Sequence, residues 1–198
     1  MKKRALILFE VSRSVSDTFE KYGVETYSVD ILPNEENHPK HIIGDVFQIN
    51  NEFFKDFDFI GAHPPCTYLT FANCGGQRDW KKTGFRGEKT IEAIKDFNLI
   101  YNKIWATGSP GYIENPPFSP YVKEFIKYPY FNIEAKKFGA NSNKRFRIYP
   151  FSVPPLIYTC INHNNIHVRS SSSTDKKSRN YFPKEIGKAM VQQWLKYI

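Results

Sequence analysis

The chain of 198 residues has a formal net charge of +8, with 28 Lys and Arg against 20 Asp and Glu. Its length holds one ordinary domain, and 40% hydrophobic and 16% aromatic residues are enough for a packed core, which excludes a disordered chain. No apolar run approaches the ~20 residues of a bilayer span, three cysteines argue against a disulfide framework, and the positive balance suits a polyanionic partner such as nucleic acid.

Residues 5–9, Ala-Leu-Ile-Leu-Phe, read as a first strand buried on both faces. The basic head before them leads into an apolar stretch too short for a secretory core, so we read a cytoplasmic protein that begins with a strand. Residues 14–22 carry Val15, Phe19 and Tyr22 at helical spacing, and Gly23 ends the helix. Residues 24–29 alternate as a strand with Asp30 at its carboxyl end, and residues 41–45 form a short strand ending on Asp45. The strand over residues 57–62 runs into His63-Pro64-Pro65-Cys66, where the prolines force the chain out of a ladder.

Residues 73–88 are rich in Gly, Lys and Arg and have no apolar period, which marks a functional loop. Residues 88–105 place Ile91, Ile94, Lys95, Leu99 and Ile104 as an amphipathic helix. Gly111 to Glu114 is a strand stopped by Asn115-Pro116-Pro117, residues 130–138 and 145–149 read as two later strands, residues 162–180 as a polar loop, and residues 185–197 as a closing helix. Strands alternating with helices and no internal repeat predict a single α/β domain over residues 1–198, with a mostly parallel sheet covered on both faces. Ligands of such sheets sit beyond the carboxyl ends of the strands, and Asp30, Asp45, Cys66 and Glu114 all fall there.

Carbon 5 of a pyrimidine is a poor nucleophile. A thiolate that adds to carbon 6 creates an enamine able to attack an electrophile, provided an acid polarises ring nitrogen 3 as it attacks. Ala62-His63-Pro64-Pro65-Cys66-Thr67 supplies the cysteine on a sharp turn. This segment resembles the Pro-Cys motif of the cytosine carbon-5 DNA methyltransferases. Tyr112-Ile113-Glu114-Asn115-Pro116 resembles that family's Glu-Asn-Val motif, and Asn143-Lys144-Arg145-Phe146-Arg147 its Gln-x-Arg-x-Arg motif, with Asn143 in place of glutamine. Phe182-Pro183-Lys184-Glu185-Ile186-Gly187-Lys188-Ala189-Met190 resembles the last family motif, where the terminal helix completes the cofactor pocket. The resemblance implies a Rossmann-like S-adenosylmethionine-dependent methyltransferase fold. It also implies Cys66 as nucleophile, Glu114 as the group on nitrogen 3, and Arg145 and Arg147 near the base and its phosphates. Enzymes that methylate exocyclic amino groups share the prolines but need an aromatic ring where Cys66 stands.

The resemblance implies S-adenosylmethionine as cofactor, held by Phe9, Glu10, Ser12, Asp30, Ile31, Asp45 and Pro64. The opening loop departs from the family. Phe-x-Gly-x-Gly is replaced by Phe9-Glu10-Val11-Ser12-Arg13, with Val11 and Arg13 at glycine positions, so the turn must differ. Asp30 has a second reading as a turn residue before Ile31-Leu32-Pro33. The target-recognition domain of larger members is missing, as in small phage-type relatives, so the expected substrate is DNA with a short target, or a free pyrimidine nucleotide. Arg78, Lys81, Lys82 and Arg86, interleaved with Trp80 and Phe85, favour DNA. The alternative from another class is a nucleic-acid-binding relative without catalysis. Cys160, His163 and His167 lack a second paired cysteine, so no metal is expected. Cys74 is a rival nucleophile beside Gly75-Gly76, and His63 reads either as a partner orienting Cys66 or as a strand-end hydrogen-bonding residue. The protein is expected to be monomeric.

Overall fold

The computed structural model describes residues 2–70, 87–160 and 182–198. Seven strands form one sheet in the order β3-β2-β1-β4-β5-β7-β6. They are β1 (Arg4–Leu8), β2 (Glu25–Asp30), β3 (His41–Ile43), β4 (Phe59–Ala62), β5 (Gly111–Asn115), β6 (Phe131–Glu134) and β7 (Arg145–Phe151). β1 pairs in parallel with β2 and β4, as do β2 with β3 and β4 with β5, whereas β7 is antiparallel to both β5 and β6. With helices on both faces this is a Rossmann-like α/β fold, as the alternation of strands and helices predicts.

The period-two side-chain direction of the strands divides the core. Ala5, Ile7, Phe59, Tyr112 and Ile148 face α1 (Ser14–Lys21) and the terminal helix α5 (Lys184–Trp194), whose Val15, Phe19, Ile186, Met190 and Trp194 are buried there. Leu6, Leu8, Ile60, Ile113 and Tyr149 face α3 (Glu88–Thr107) on the other side. Two short helices, α2 (Asn51–Phe54) and α4 (Pro120–Lys123), fill connections on that second face with Phe54 and Val122. Among the described residues no helix is long and apolar enough to cross a membrane.

Several details differ from the sequence expectation. The buried residues of α3 are Thr90, Ile94, Phe97, Ile100, Tyr101 and Ile104, while Ile91 and Leu99 are exposed. At about 100° per residue Ile91 lies about 100° and Leu99 about 180° around the helix from Thr90. Tyr22 likewise leaves the core, and its hydroxyl accepts from Gln192 Nε2 at 2.9 Å. The single strand expected over residues 130–138 ends at Glu134, and Ala135–Phe138 turns as a 3₁₀ helix. Ala135 and Phe138 are both buried, and their spacing of three brings both to the core only in a helical turn. The loop expected over residues 162–180 lies outside the described residues.

Gly111 starts β5 against β4, and a Cβ there would lie 1.9 Å from the carbonyl oxygen of Ile60. Backbone cannot step aside as a flexible side chain does. Gly111→Ala is therefore expected to lower stability by about 3 kcal/mol, read as an earlier urea midpoint with an unchanged slope.

Candidate active site

β1, β2, β3, β4 and β5 all end on one rim, since they run parallel. The site residues follow from what the chain does on leaving each strand.

After β4, His63 continues the ladder by one bond, its N–H donating to Leu8 O at 3.1 Å, and the prolines then turn the chain away. The turn is closed by Leu69 N–H to Cys66 O at 3.0 Å and pinned from β5 by Asn115 Nδ2 to Pro64 O at 2.9 Å. Cys66 is half-buried, with a free thiol. Burial pushes that thiol above its ordinary value, and the Glu114 carboxylate pushes it further. Its backbone hydrogen bond and the Lys144 charge oppose this without cancelling it. Cys66 and Glu114 thus lie within electrostatic reach on adjacent strand ends, and the resting sulfur is a protonated thiol.

Glu114 is 7% exposed. Its Oε2 lies 3.0 Å from His63 Nδ1, and His63 Nε2 lies 3.0 Å from the Tyr112 hydroxyl. His63 therefore partners Glu114, not Cys66, so the sequence reading that it orients the cysteine is replaced by a strand-end hydrogen-bonding role. Phe182, which precedes α5, packs on the His63 ring at 4.9 Å between centroids, which brings the end of the chain onto the site. Tyr112 was missed by sequence reasoning. The available signal is its place two residues before Glu114, on the same face of β5.

Among the described residues, Glu114 Oε1, Asn115 Oδ1, Thr70 Oγ1 and Arg147 Nε are buried without a hydrogen-bond partner. Folded proteins hold few such atoms. Arg147 and Glu114 lie on opposite faces of the sheet. Arg147 is the register partner of Asn115, and its guanidinium sits 4.4 Å from the Tyr130 ring centroid and 5.5 Å from that of Phe118. It is buried at 5% exposure, whereas Arg145 is exposed at the start of β7.

On the β1–β3 side the glycine-free turn uses two left-handed residues, Phe9 at φ 58° and Arg13 at φ 55°, and Val11 is not one of them. Arg13, also missed from the sequence, is buried. Its guanidinium bonds Asp17 Oδ1 at 3.0 Å, Ser28 Oγ at 3.1 Å and the carbonyls of Lys40 and Thr26, and it pairs with Glu20 at 3.3 Å. Glu10 is buried and turned into α1, where it accepts from Val15 N–H at 2.6 Å, from Ser16 N–H at 3.2 Å and from the Ser16 hydroxyl. Burial holds its carboxyl above the usual range, against the pull of His63 and these bonds. Ser12 Oγ accepts from Ser14 N–H at 3.4 Å.

Asp30 Oδ1 accepts from Leu32 N–H at 3.0 Å, the turn role read as its alternative, and Asp45 caps its 3₁₀ turn through Phe47 N–H at 2.9 Å. Beyond them Ile31 and Leu32 stand 66% and 56% exposed, and Phe9 packs on Phe47 at 5.5 Å. Pro64 borders a groove of about 360 Å³ toward α3 that includes Glu92 and Asp96. Lys89 lines the same groove, and the Asp96 carboxyl is raised by burial and by the nearby charges of Glu92 and Asp45. Arg78, Lys81, Lys82, Arg86, Cys74, His163 and His167 lie outside the described residues.

No protein-family model and no curated protein matches the chain. Solved structures do. A prophage-encoded protein from E. coli described as a DNA modification methyltransferase aligns with a TM-score of 0.49 and 17% identity, over 74% of this chain and 45% of that one. A mutant of Spodoptera frugiperda DNMT2 aligns with a TM-score of 0.44 and 15% identity, over 78% of this chain and 52% of that one. The chain spans about half the length of both.

The elevated Cys66 thiol gives a direct test. Alkylation of the Cys66 peptide by iodoacetamide, followed by mass spectrometry, is expected to rise with pH through an apparent value above that of an ordinary thiol. Glu114→Gln removes a negative charge that disfavours thiolate, so its profile shifts to lower pH and its labelling at neutral pH is faster. A profile unmoved by Glu114→Gln would separate the two groups.

Proposed function

We propose that the protein methylates carbon 5 of cytosine in DNA, using Cys66 as nucleophile and Glu114 as acid. The observation that carries this reading is that the Cys66 turn and Glu114 leave the neighbouring ends of β4 and β5, with the turn pinned to β5 by Asn115 Nδ2 to Pro64 O at 2.9 Å.

The reaction starts from the thiol. As the base enters, the thiol proton passes to the Glu114 carboxylate, and sulfur bonds to carbon 6. The displaced electron pair moves through the ring, and the newly protonated Glu114 gives that proton to nitrogen 3, which leaves an enamine with a nucleophilic carbon 5. S-adenosylmethionine, when bound, supplies the methyl group. The proton on nitrogen 3 then returns to Glu114, the carbon-5 proton passes to solvent and sulfur leaves carbon 6, and Glu114 hands its proton back to sulfur, which restores the ring, the carboxylate and the thiol. Asn115 holds the nucleophile's turn in place through Pro64 O, and Arg145 is the cation open to a phosphate.

The residues at the β2 and β3 ends fit the adenosine part of that cofactor. Ile31 and Leu32 leave hydrocarbon uncovered beside Asp30 and Asp45, which is how a ring and a ribose are held in such crevices. At α1 the donors an anion would use, Val15 N–H and Ser16 N–H, already serve Glu10. The carboxylate end of the cofactor must find donors elsewhere. That same observation favours a second reading, a nucleic-acid-binding relative that has given up the cofactor. Calorimetry with S-adenosylmethionine distinguishes them, since the first reading expects binding in the micromolar to millimolar range and the second expects none.

Incubation with DNA and S-adenosylmethionine is expected to yield carbon-5-methylated cytosine in nuclease digests analysed by mass spectrometry. Cys66→Ser is expected to abolish the product, and Glu114→Gln to slow it by about a hundredfold or more. Binding to labelled duplex DNA should weaken about tenfold with a modest rise in salt, whereas a free nucleotide substrate would show little salt dependence.

A further inference from the structure

We propose that Tyr112 and His63 act as a positioning relay that fixes the orientation of Glu114 and leaves Oε1 as its working oxygen. The inference rests on the methyl-transfer reading for its consequence, but the relay itself is a matter of hydrogen-bond direction.

Tyr112 is completely buried, and its hydroxyl has to donate its proton to something. The partner the structure gives it is His63 Nε2, at 3.0 Å. Burial, with the charges of Glu10 and Glu114, raises the phenol well above its ordinary value, so the hydroxyl keeps its proton. An acceptor Nε2 carries no hydrogen, and a neutral imidazole then carries it on Nδ1. Nδ1–H donates to Glu114 Oε2 at 3.0 Å. One lone pair of Oε2 is thereby committed, and a proton on the carboxyl group goes to Oε1. That oxygen is buried without a partner among the described residues, and it is the one left to face a planar ring.

Packing holds each member. Tyr112 lies against Gly61, where any side chain would collide, since a Cβ at that position comes within 2.7 Å of the Tyr112 ring and 2.9 Å of Ile7. The His63 ring is held by Phe182 at 4.9 Å and by Tyr112 at 5.5 Å between centroids.

The rival arrangement is an imidazolium between Glu114 and Glu10, whose charge also reaches His63. It would make Nε2 a donor to the Tyr112 oxygen and leave the phenol proton with no acceptor that the structure provides among the described residues.

The test is side-chain nitrogen NMR of the whole protein labelled at histidine, with the His63 signals assigned by their loss in His63→Asn. The expected result is the Nδ1–H tautomer at neutral pH, reverting in Tyr112→Phe toward the Nε2–H form that free imidazole prefers. An Nε2–H or doubly protonated His63 in the unaltered protein overturns the relay, and this readout needs no activity. If the protein transfers methyl groups, Tyr112→Phe should lower kcat about tenfold with the KM for DNA unchanged. The same change made in Glu114→Gln should then cost nothing further, because the two residues act through one group. An Nδ1–H tautomer without methyl transfer would retire the methyl-transfer reading and leave the relay standing.

Discussion

A carboxyl group buried at the end of a strand with one oxygen satisfied and the other bare is an expensive thing for a fold to keep. Glu114 is in that state among the described residues: Oε2 meets His63, and Oε1 has no hydrogen-bond partner. An unpaired buried polar atom costs about 1–3 kcal/mol, and replacing the carboxyl group by hydrocarbon of similar shape would remove that cost. The surrounding structure is arranged around it nevertheless. β5 lies in register beside β4, so that Glu114 and the Cys66 turn leave the sheet as neighbours. Asn115 on the opposite face of the same strand ties that turn down. The terminal helix comes back over α1 and delivers Phe182 onto His63. Each of these features keeps one oxygen aimed and dry.

The glycine-free turn after β1 shows how the same path can be built from other residues. A left-handed non-glycine residue costs about 1–2 kcal/mol, and this turn contains two, Phe9 and Arg13. Arg13 is held in that conformation by five polar partners drawn from α1, β2 and the residue before β3. Glu10 compensates at the other side, giving the first turn of α1 the acceptor it would otherwise lack. The consequence is chemical as well as structural. A helix N-terminus that serves an internal carboxylate is no longer open to an external one, so the two ends of the rim differ: hydrocarbon and acids near β2 and β3, a filled anion site at α1.

Much of this was legible along the chain. Period-two alternation and buried runs located most of the strands, and the four candidate positions at strand ends follow from strands that run parallel. The Pro-Pro pair marked the turn that carries Cys66, because a residue with no N–H cannot extend a ladder. Boundaries were lost where a linear pattern has two three-dimensional solutions. β6 stops at Glu134, paired with the first residue of β7, and Ala135 and Phe138 then reach the core together through a 3₁₀ turn. Ile91 and Leu99 are apolar, but the sheet covers the face of α3 that carries Thr90, Ile94, Phe97 and Ile104.

By itself the sequence determined the α/β alternation, the positions of the cysteine and the two-proline turn, the carboxyl group at the end of the fifth strand, and the absence of glycine from the first turn. These are properties of neighbouring residues, and short-range sterics and burial act on them directly. Which partners those residues take was decided only by tertiary structure. His63 is 51 positions from Glu114 and 49 from Tyr112, and Arg13 reaches 27 residues ahead to Lys40. A hydrogen bond acts over about 3 Å, and only the sheet order that lays β4 beside β5, and β1 beside β2, brings such distant residues that close. The hydrogen bonds that join His63 to Tyr112 and to Glu114 are a product of that arrangement.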